Sequence, residues 1–355
     1  MSRRHLIALL ALAGTAALVT ACTSGGSSPA TSTAPLASSS ALASSGSLSP
    51  STSGSPSSSA PVVVQRSLLS GRVGMKDGRV LVVKLDNTPY AEPHAGIEDA
   101  DVVYIEQVEG GLTRMAAVFS TEIPKKIGPI RSARIADIDL FAQYGKVAFA
   151  YSGAQHRLRP VIAAANLFNV SGDVGPAGYF RDPSRPAPYN FFGVGPELLA
   201  RAPHAAHAKD VGFRFSTTPP PGGLKVSSAT VRWPAAKAVF VWNPATQRWL
   251  LTMDGIKAIS DGKRMGGTTV VVQYVRMYDS GYGDRHGGIT PMSVTIGSGS
   301  ALVLRNGKAY AARWSRASKT SGTIWTTSTG ARLPFAPGQV WVLLVNRTTH
   351  ATLTR

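Results

Sequence analysis

The sequence holds one cysteine in 355 residues, Cys22. Whatever follows it has no intramolecular disulfide and no thiol chemistry, so its stability has to come from packing. Seven histidines are present without ligand spacing. His204 and His207 lie three apart but lack a third donor nearby, so no zinc site is expected. Asp279 and Asp284 sit in the Gly-rich stretch MYDSGYGDRHGG, but their spacing is not that of a calcium loop, and a turn with capping aspartates accounts for them. No phosphate-binding Walker loop, nucleophile elbow or dinucleotide fingerprint occurs, and no metal or cofactor is expected. Acidic residues are scarce towards the end. From Val231 to Arg355 there are sixteen Lys or Arg, four Asp and no Glu, a balance of +12 within the overall +18. Long apolar runs are also lacking after the first twenty residues, so no membrane span follows them, and no solenoid-type repeat is present.

The start itself, MSRRHLIALLALAGTAALVTAC, has a short basic head, an Ala-rich apolar run and small residues before the cysteine. Val19-Thr20-Ala21-Cys22 fits a bacterial lipobox, which makes residues 1–22 a lipoprotein signal peptide and Cys22 the site of lipidation. Several acyl chains, palmitate among them, hold a protein on a membrane more firmly than a single chain does. Ser2-Arg3-Arg4-His5-Leu6-Ile7 also resembles a twin-arginine export signal. Residues 23–62 are Ser, Thr, Ala, Gly and Pro with a few Leu and Val, and none is charged. Such a segment cannot bury enough apolar surface to offset its ordering entropy and is expected to be a disordered tether. Its end-to-end distance is about 35 Å. The expected location is the outer face of the bacterial cytoplasmic membrane. A basic module there is drawn to anionic lipid head groups or anionic wall polymers, and nucleic acid is not an expected partner.

The remainder reads as α+β in two domains. Residues 63–225 mix strands and helices. RVLVVKLDN, DVVYIEQVEG, RMAAVFST and KVAFAYSG are strand-like runs, the second and third joined by a short Gly-bearing turn that predicts a hairpin. Helices are expected over about 155–166 and 195–209. Residues 229–350 are mostly strand, with Asn306-Gly307 as a hairpin turn, and predict a small barrel or sandwich. Pro219, Pro220, Pro221, Gly222 and Gly223 mark the boundary.

One stretch stands out, GPIRSARIADIDLFA (128–142). As a helix starting after Pro129, it places Arg131 at 0°, Arg134 at about 300°, Ile135 at about 40° and Ile138 at about 340°. Two arginines then share the apolar face in the first turn, with Asp137, Asp139 and Gln143 outside it. Other polar residues gather around them. Asp86 and Asn87 end the first strand, Glu106 lies in the second, Glu109 and Arg114 flank its turn, and Asp182, Arg185 and Asn190 lie in the proline-rich YFRDPSRPAPYNFF. Either Arg–carboxylate pairs fasten a sheet rim, or Arg131, Ser132, Arg134 and free helix N–H groups form an anion pocket.

VVKLDN, ADVVYIEQVEGGLTRMAAVFS, KIGPIRSAR and FRDPSRPAPYN closely resemble the YerB-like lipoproteins, domain of unknown function 3048. The end of the chain resembles that family's C-terminal module, through VVVQ, the Asn-Gly hairpin, Trp314 and APGQVWVLLV. The resemblance implies an envelope lipoprotein of two modules and supplies no activity. Lys84 departs from it, standing where an apolar residue is usual, which counts against burial of that strand on both faces. The expected function is to bind an anionic cell-wall or membrane ligand, with Asp86, Asn87, Glu106, Glu109, Arg114, Arg131, Ser132, Arg134, Asp182 and Asn190 as candidate ligand-binding residues. The alternative is a hydrolase of envelope glycans or phosphodiesters using Asp or Glu as acid and base, which needs two carboxyl groups roughly 5–9.5 Å apart.

Overall fold

The computed structural model describes residues 65–284 and 287–355. Cys22 and the segments expected as signal peptide, 1–22, and tether, 23–62, lie outside them. Four runs read from the sequence become strands: β1 (Leu81–Asp86), β2 (Val102–Gln107), β3 (Thr113–Phe119) and β4 (Ala148–Ala150). β2 and β3 form the expected antiparallel hairpin, from Val102 opposite Val118 to Gln107 opposite Thr113. β1 pairs with β3 on one side and runs parallel to β4 on the other. β5 (Phe168–Asn169) follows at the edge, and β6 (Tyr179–Arg181) with β7 (Phe191–Gly193) makes a separate hairpin from the proline-rich stretch.

The boundary near residue 225 does not divide this sheet. β2 pairs in parallel with the strand Val340–Asn346, which pairs in turn with Thr269–Gly283. The sheet continues through Gly297–Arg305 and Lys308–Arg316 to Ile324–Thr327, twelve strands in all with two side branches. Asn306 and Gly307 join two of these strands with φ of 49° and 69°, the left-handed pair that a tight hairpin needs. Six further strands, including Ser228–Trp233, Ala236–Asn243 and Arg248–Met253, form a second sheet. The architecture is α+β, with few helices and mostly strands.

Side chains on a strand alternate between faces. Leu81, Val83 and Leu85 share an apolar cluster with Ile105, Met115, Phe240, Trp249, Leu251 and Trp341, so one face of the large sheet packs on the second sheet. The helix α3 (Gly195–Ala200) adds Leu198 and Leu199 there. The opposite face carries Val80, Val82, Val102, Tyr104, Ala116 and Val118 under Leu140 and Phe141 of α1 (Ile135–Phe141). α2 (Arg159–Ala164) contributes Ile162 to the same cluster. Helices therefore occur within both expected stretches but are shorter. All six residues of β1 are buried, Lys84 among them, against the expectation raised by its charge.

Candidate functional site

On the helix-covered face of the sheet, period 2 places Lys84 and Asp86 of β1, Arg114 and Ala116 of β3, and Tyr104 and Glu106 of β2 side by side. Arg114 sits in register between Asp86 and Glu106. Ala116 sits between Lys84 and Tyr104. A row of charges therefore lies inside the sheet–helix layer, where each must find a partner.

The partners are all in place. Arg131 Nη1 donates to Asp86 Oδ2, and Arg114 Nη1 lies 3.7 Å from Asp86 Oδ1. Arg134 grips Glu109 by its fork, with Nε 2.7 Å from Oε1 and Nη2 2.6 Å from Oε2, and Thr290 donates its hydroxyl to the same carboxylate. Lys84 Nζ donates to Asp137 Oδ1 at 2.7 Å and pairs with Glu106. Four cations and four carboxylates thus close one network.

Burial disfavours charge at Asp86, but Arg114 and Arg131 outweigh it and hold the carboxyl below its ordinary range. Burial likewise works to raise the Glu109 pKa, and the Arg134 hydrogen bonds and charge bring it below the ordinary value. Desolvation brings Arg114 down to about 10, still protonated near neutrality. Its Nε has no hydrogen-bond partner among the described residues.

The arginine stretch departs from its expected form. The helix begins at Ile135, not after Pro129, and Arg134 is its N-cap with extended backbone. Ile130 bridges Leu85, the Arg131 N–H donates to Lys84 O at 2.9 Å, and the Ala133 N–H donates to Gly153 O at 3.0 Å. Residues 130–133 are thus strand-like, held beside the end of β1 where β4 no longer reaches. Arg131 reaches Asp86 from this extended segment, not from a helical face. The proposed helix-terminus pocket also fails locally, because the Asp137 carboxylate accepts the Arg134 N–H at 2.6 Å. Asp137, expected outside the apolar arc, is fully buried because it caps the helix and holds Lys84. Gln143 is buried too, donating to the Tyr104 hydroxyl at 3.2 Å and accepting from Thr323.

The remaining candidates lie elsewhere. Asn87 donates to the Thr113 hydroxyl at 2.7 Å and pins the strand ends. Asp182 pairs with Lys126 at 2.8 Å and accepts from Ser184, away from the buried network. Asn190 accepts from Arg181 Nη1 at 2.7 Å across the β6–β7 hairpin. Arg185 donates to the carbonyls of Tyr90, Ala91, Glu92 and Pro93, which fixes the hairpin loop over that turn.

Two clefts meet over Ser132 and Gly153. One, of about 440 Å³, is lined by Arg131, Ser152, Asp173, Arg181 and Phe191. The other, of about 510 Å³, is lined by Glu109, Arg134, His156, Leu158 and Tyr282. Ser132 donates to Ser152 O at 2.9 Å, leaving the hydroxyl oxygen available as an acceptor. Arg131 is about one-fifth exposed and stacks over Tyr189, its ζ carbon 5.6 Å from the ring centre. Arg181 is exposed, lies over Phe191, and has no carboxylate within ion-pair distance among the described residues. Sequence reasoning missed Arg181, Gly153 and Tyr189, although Arg181 and Tyr189 stand within the quoted proline-rich stretch.

With two modules knitted into one sheet around this network, the chain matches the N-terminal domain of the protein family of unknown function DUF3048 over residues 69–209, and its C-terminal domain over residues 229–342. It belongs to that family. It is 24% identical over 289 residues to the Bacillus subtilis (strain 168) protein named "Putative lipoprotein YerB", covering 75% of this chain and 81% of that one. The crystal structure of YerB from Bacillus subtilis superposes with a TM-score of 0.68 at 19% identity, over 82% of this chain and all of that one. The structural likeness supports the shared fold.

Proposed function

We propose that this protein is a lipid-anchored, wall-facing binding protein that holds an anionic group of a wall polymer in the groove over Ser132 and Gly153. The anchor reading rests on the Val19–Cys22 lipobox and on the name of the Bacillus subtilis relative. Placement on the outer face of the cytoplasmic membrane, and export through a twin-arginine signal, belong to the same proposal. The observation that carries the binding reading is the pair Arg131 and Arg181, which line one cleft of about 440 Å³. Arg131 shares its carboxylate partner, Asp86, with Arg114, Arg181 has no carboxylate within ion-pair distance among the described residues, and Asp173 of the same cleft pairs with Arg159. A carboxylate or phosphate of the ligand would bridge the two guanidinium groups, with aromatic rings of Tyr189 and Phe191 behind them. Arg114 and Arg134, expected as ligand contacts, act instead as internal fasteners, because their partners are already in the protein.

The hydrolase alternative is the weaker reading. Asp86 and Glu109 are committed to arginines, and Glu106 is buried beyond substrate reach. A general acid–base pair needs carboxyl groups free to exchange protons with substrate.

The test uses the full chain and two soluble probes, a phosphate-bearing wall polymer and a carboxylate-bearing wall fragment, with affinity measured by calorimetry. Arg181→Ala removes an exposed side chain outside the buried network, so the fold should stay intact. A loss of roughly tenfold is expected, from about 1.4 kcal/mol for one charge-assisted contact. Unchanged affinity in Arg181→Ala, or no binding of either probe by the unaltered protein, overturns the proposal.

A further inference from the structure

Lys84 is the least ordinary residue of the buried network. Its side chain and that of Asp137 are fully buried, and that of Glu106 is 1% exposed. Register places Lys84 of β1 and Tyr104 of β2 on either side of Ala116 in β3, with Glu106 the next same-face residue along β2. Ala116 has no side chain beyond Cβ, so the lysine reaches across the middle strand. Its Nζ abuts Glu106 Oε1, and its other ion-pair partner is Asp137. Glu106 Oε1 meets only Lys84, and Oε2 has no hydrogen-bond partner among the described residues. A buried carboxylate with one oxygen unsatisfied and a single cation beside the other is costly to keep charged.

We propose that Lys84 Nζ and Glu106 Cδ are joined by an intramolecular amide bond, with Asp137 as the proton relay for its formation. The pair first exchanges one proton, so that the ammonium becomes an amine and the carboxylate a carboxylic acid. The Nζ lone pair then attacks Cδ and the C–N bond forms. Asp137 takes the proton shed by nitrogen and delivers it to the departing Glu106 hydroxyl. The C–O bond breaks and one water leaves, with no oxidant, reductant or cofactor consumed. Asp137 ends as the carboxylate it was at the start.

Three features of the site favour this step. Desolvation brings the Lys84 pKa from 10.5 to about 8 despite the Asp137 charge, so the nucleophilic amine is accessible near neutrality. Strand pairing holds nucleophile and carbonyl carbon together, which supplies the proximity that a bimolecular condensation lacks. Burial also penalises the two ions and favours the neutral amide, so condensation removes charges that the interior disfavours. The rest of the network stays balanced, because one cation and one anion disappear together. The bond would tie β1 to β2 across β3 in a chain whose one cysteine cannot form a disulfide within it.

Trypsin provides the test, because Lys84 is the one cleavage point between Arg79 and Arg114. The purified full chain is denatured, digested and analysed by mass spectrometry. The expected product is the uncut peptide 80–114 lacking the mass of one water, with fragment ions that join Lys84 to Glu106. In Asp137→Asn, cleavage after Lys84 should return. In the unaltered protein, cleavage after Lys84, or an uncut peptide of full mass, overturns the proposal. A product joining peptide 80–114 to peptide 135–146 would place the bond on Asp137 and overturn the assignment of Glu106. The digest of the unaltered chain decides between these outcomes even if the variant does not fold.

Discussion

At the residue scale, the consequences concern where protons sit. Arg134 and Glu109 are 15% and 8% exposed in their side chains, close to the interior limit where removing one partner strands the other. Arg134→Ala should cost about 3 kcal/mol of folding stability near neutral pH. The pH dependence follows from the lowered Glu109 pKa. A carboxyl whose folded pKa lies below its unfolded value, 4.5 here, stabilises the fold above that value and loses the contribution as pH falls through the folded pKa. The gap between the unaltered protein and Arg134→Ala, measured by urea unfolding, should therefore be full at neutrality and narrower in acid well below 4.5. A gap of equal size at both would mean that Glu109 is not held ionised by Arg134. Lys84 would give the same sign in a more alkaline window. A free Lys84 amine, with a folded pKa of about 8 against 10.5 unfolded, would make stability rise with pH between those values, because the unfolded chain binds the extra proton. As an amide it does not titrate, so the expected profile lacks that rise. Restoration of the slope in Asp137→Asn would be the matching signature.

At the scale of elements, one side chain fastens the loop of the β6–β7 hairpin, while backbone bonds from Ile127 and Ile130 hold β7 itself. Arg185 Nη1 lies 2.7 Å from Pro93 O and Nη2 lies 2.7 Å from Ala91 O, so the loop is clamped to the turn after β1. Each charge-assisted bond contributes about 1.5 kcal/mol. Arg185→Ala should speed hydrogen exchange at the Asp182 amide, which donates across the hairpin to Asn190 O, by at least about tenfold. Exchange in β1 and β3 should stay unchanged, and an unaltered Asp182 rate would mean that the hairpin holds itself. This element also separates what was legible in the sequence from what was not. Hairpin turns were readable because their signal is local: Gly110-Gly111 and Asn306-Gly307 supply backbone angles that other residues resist. The start of α1 was not. Apolar spacing from Arg131 to Ala142 fits a helix, but Ile130 and Arg131 are taken up by β1 from more than forty residues away, and the non-local pairing wins. Lys84 was visible as an anomaly in an apolar run. Its partners, Glu106 and Asp137, stand on two other elements, so the sequence marked the position without naming what answers it.

For the molecule as a whole, the decisive feature is the strand Val340–Asn346. Six of its seven residues are buried, and it pairs in parallel with β2 on one side and with Thr269–Gly283 on the other. The last segment of one family module therefore completes the sheet of the other, and Trp233 reinforces the join by donating to Leu344 O at 2.9 Å. Neither module can shed the other without exposing a long apolar strand edge, a template for pairing with a second chain. Two separable domains would unfold in two steps, whereas a shared sheet couples them. Thermal unfolding followed by calorimetry should give one transition, and a chain ended after residue 338 should be recovered as aggregate, with β2 left unpaired on that side. Soluble recovery of the shortened chain with native near-ultraviolet dichroism would mean that the N-terminal module stands alone, and that the parallel join is an addition to the fold and not its keystone.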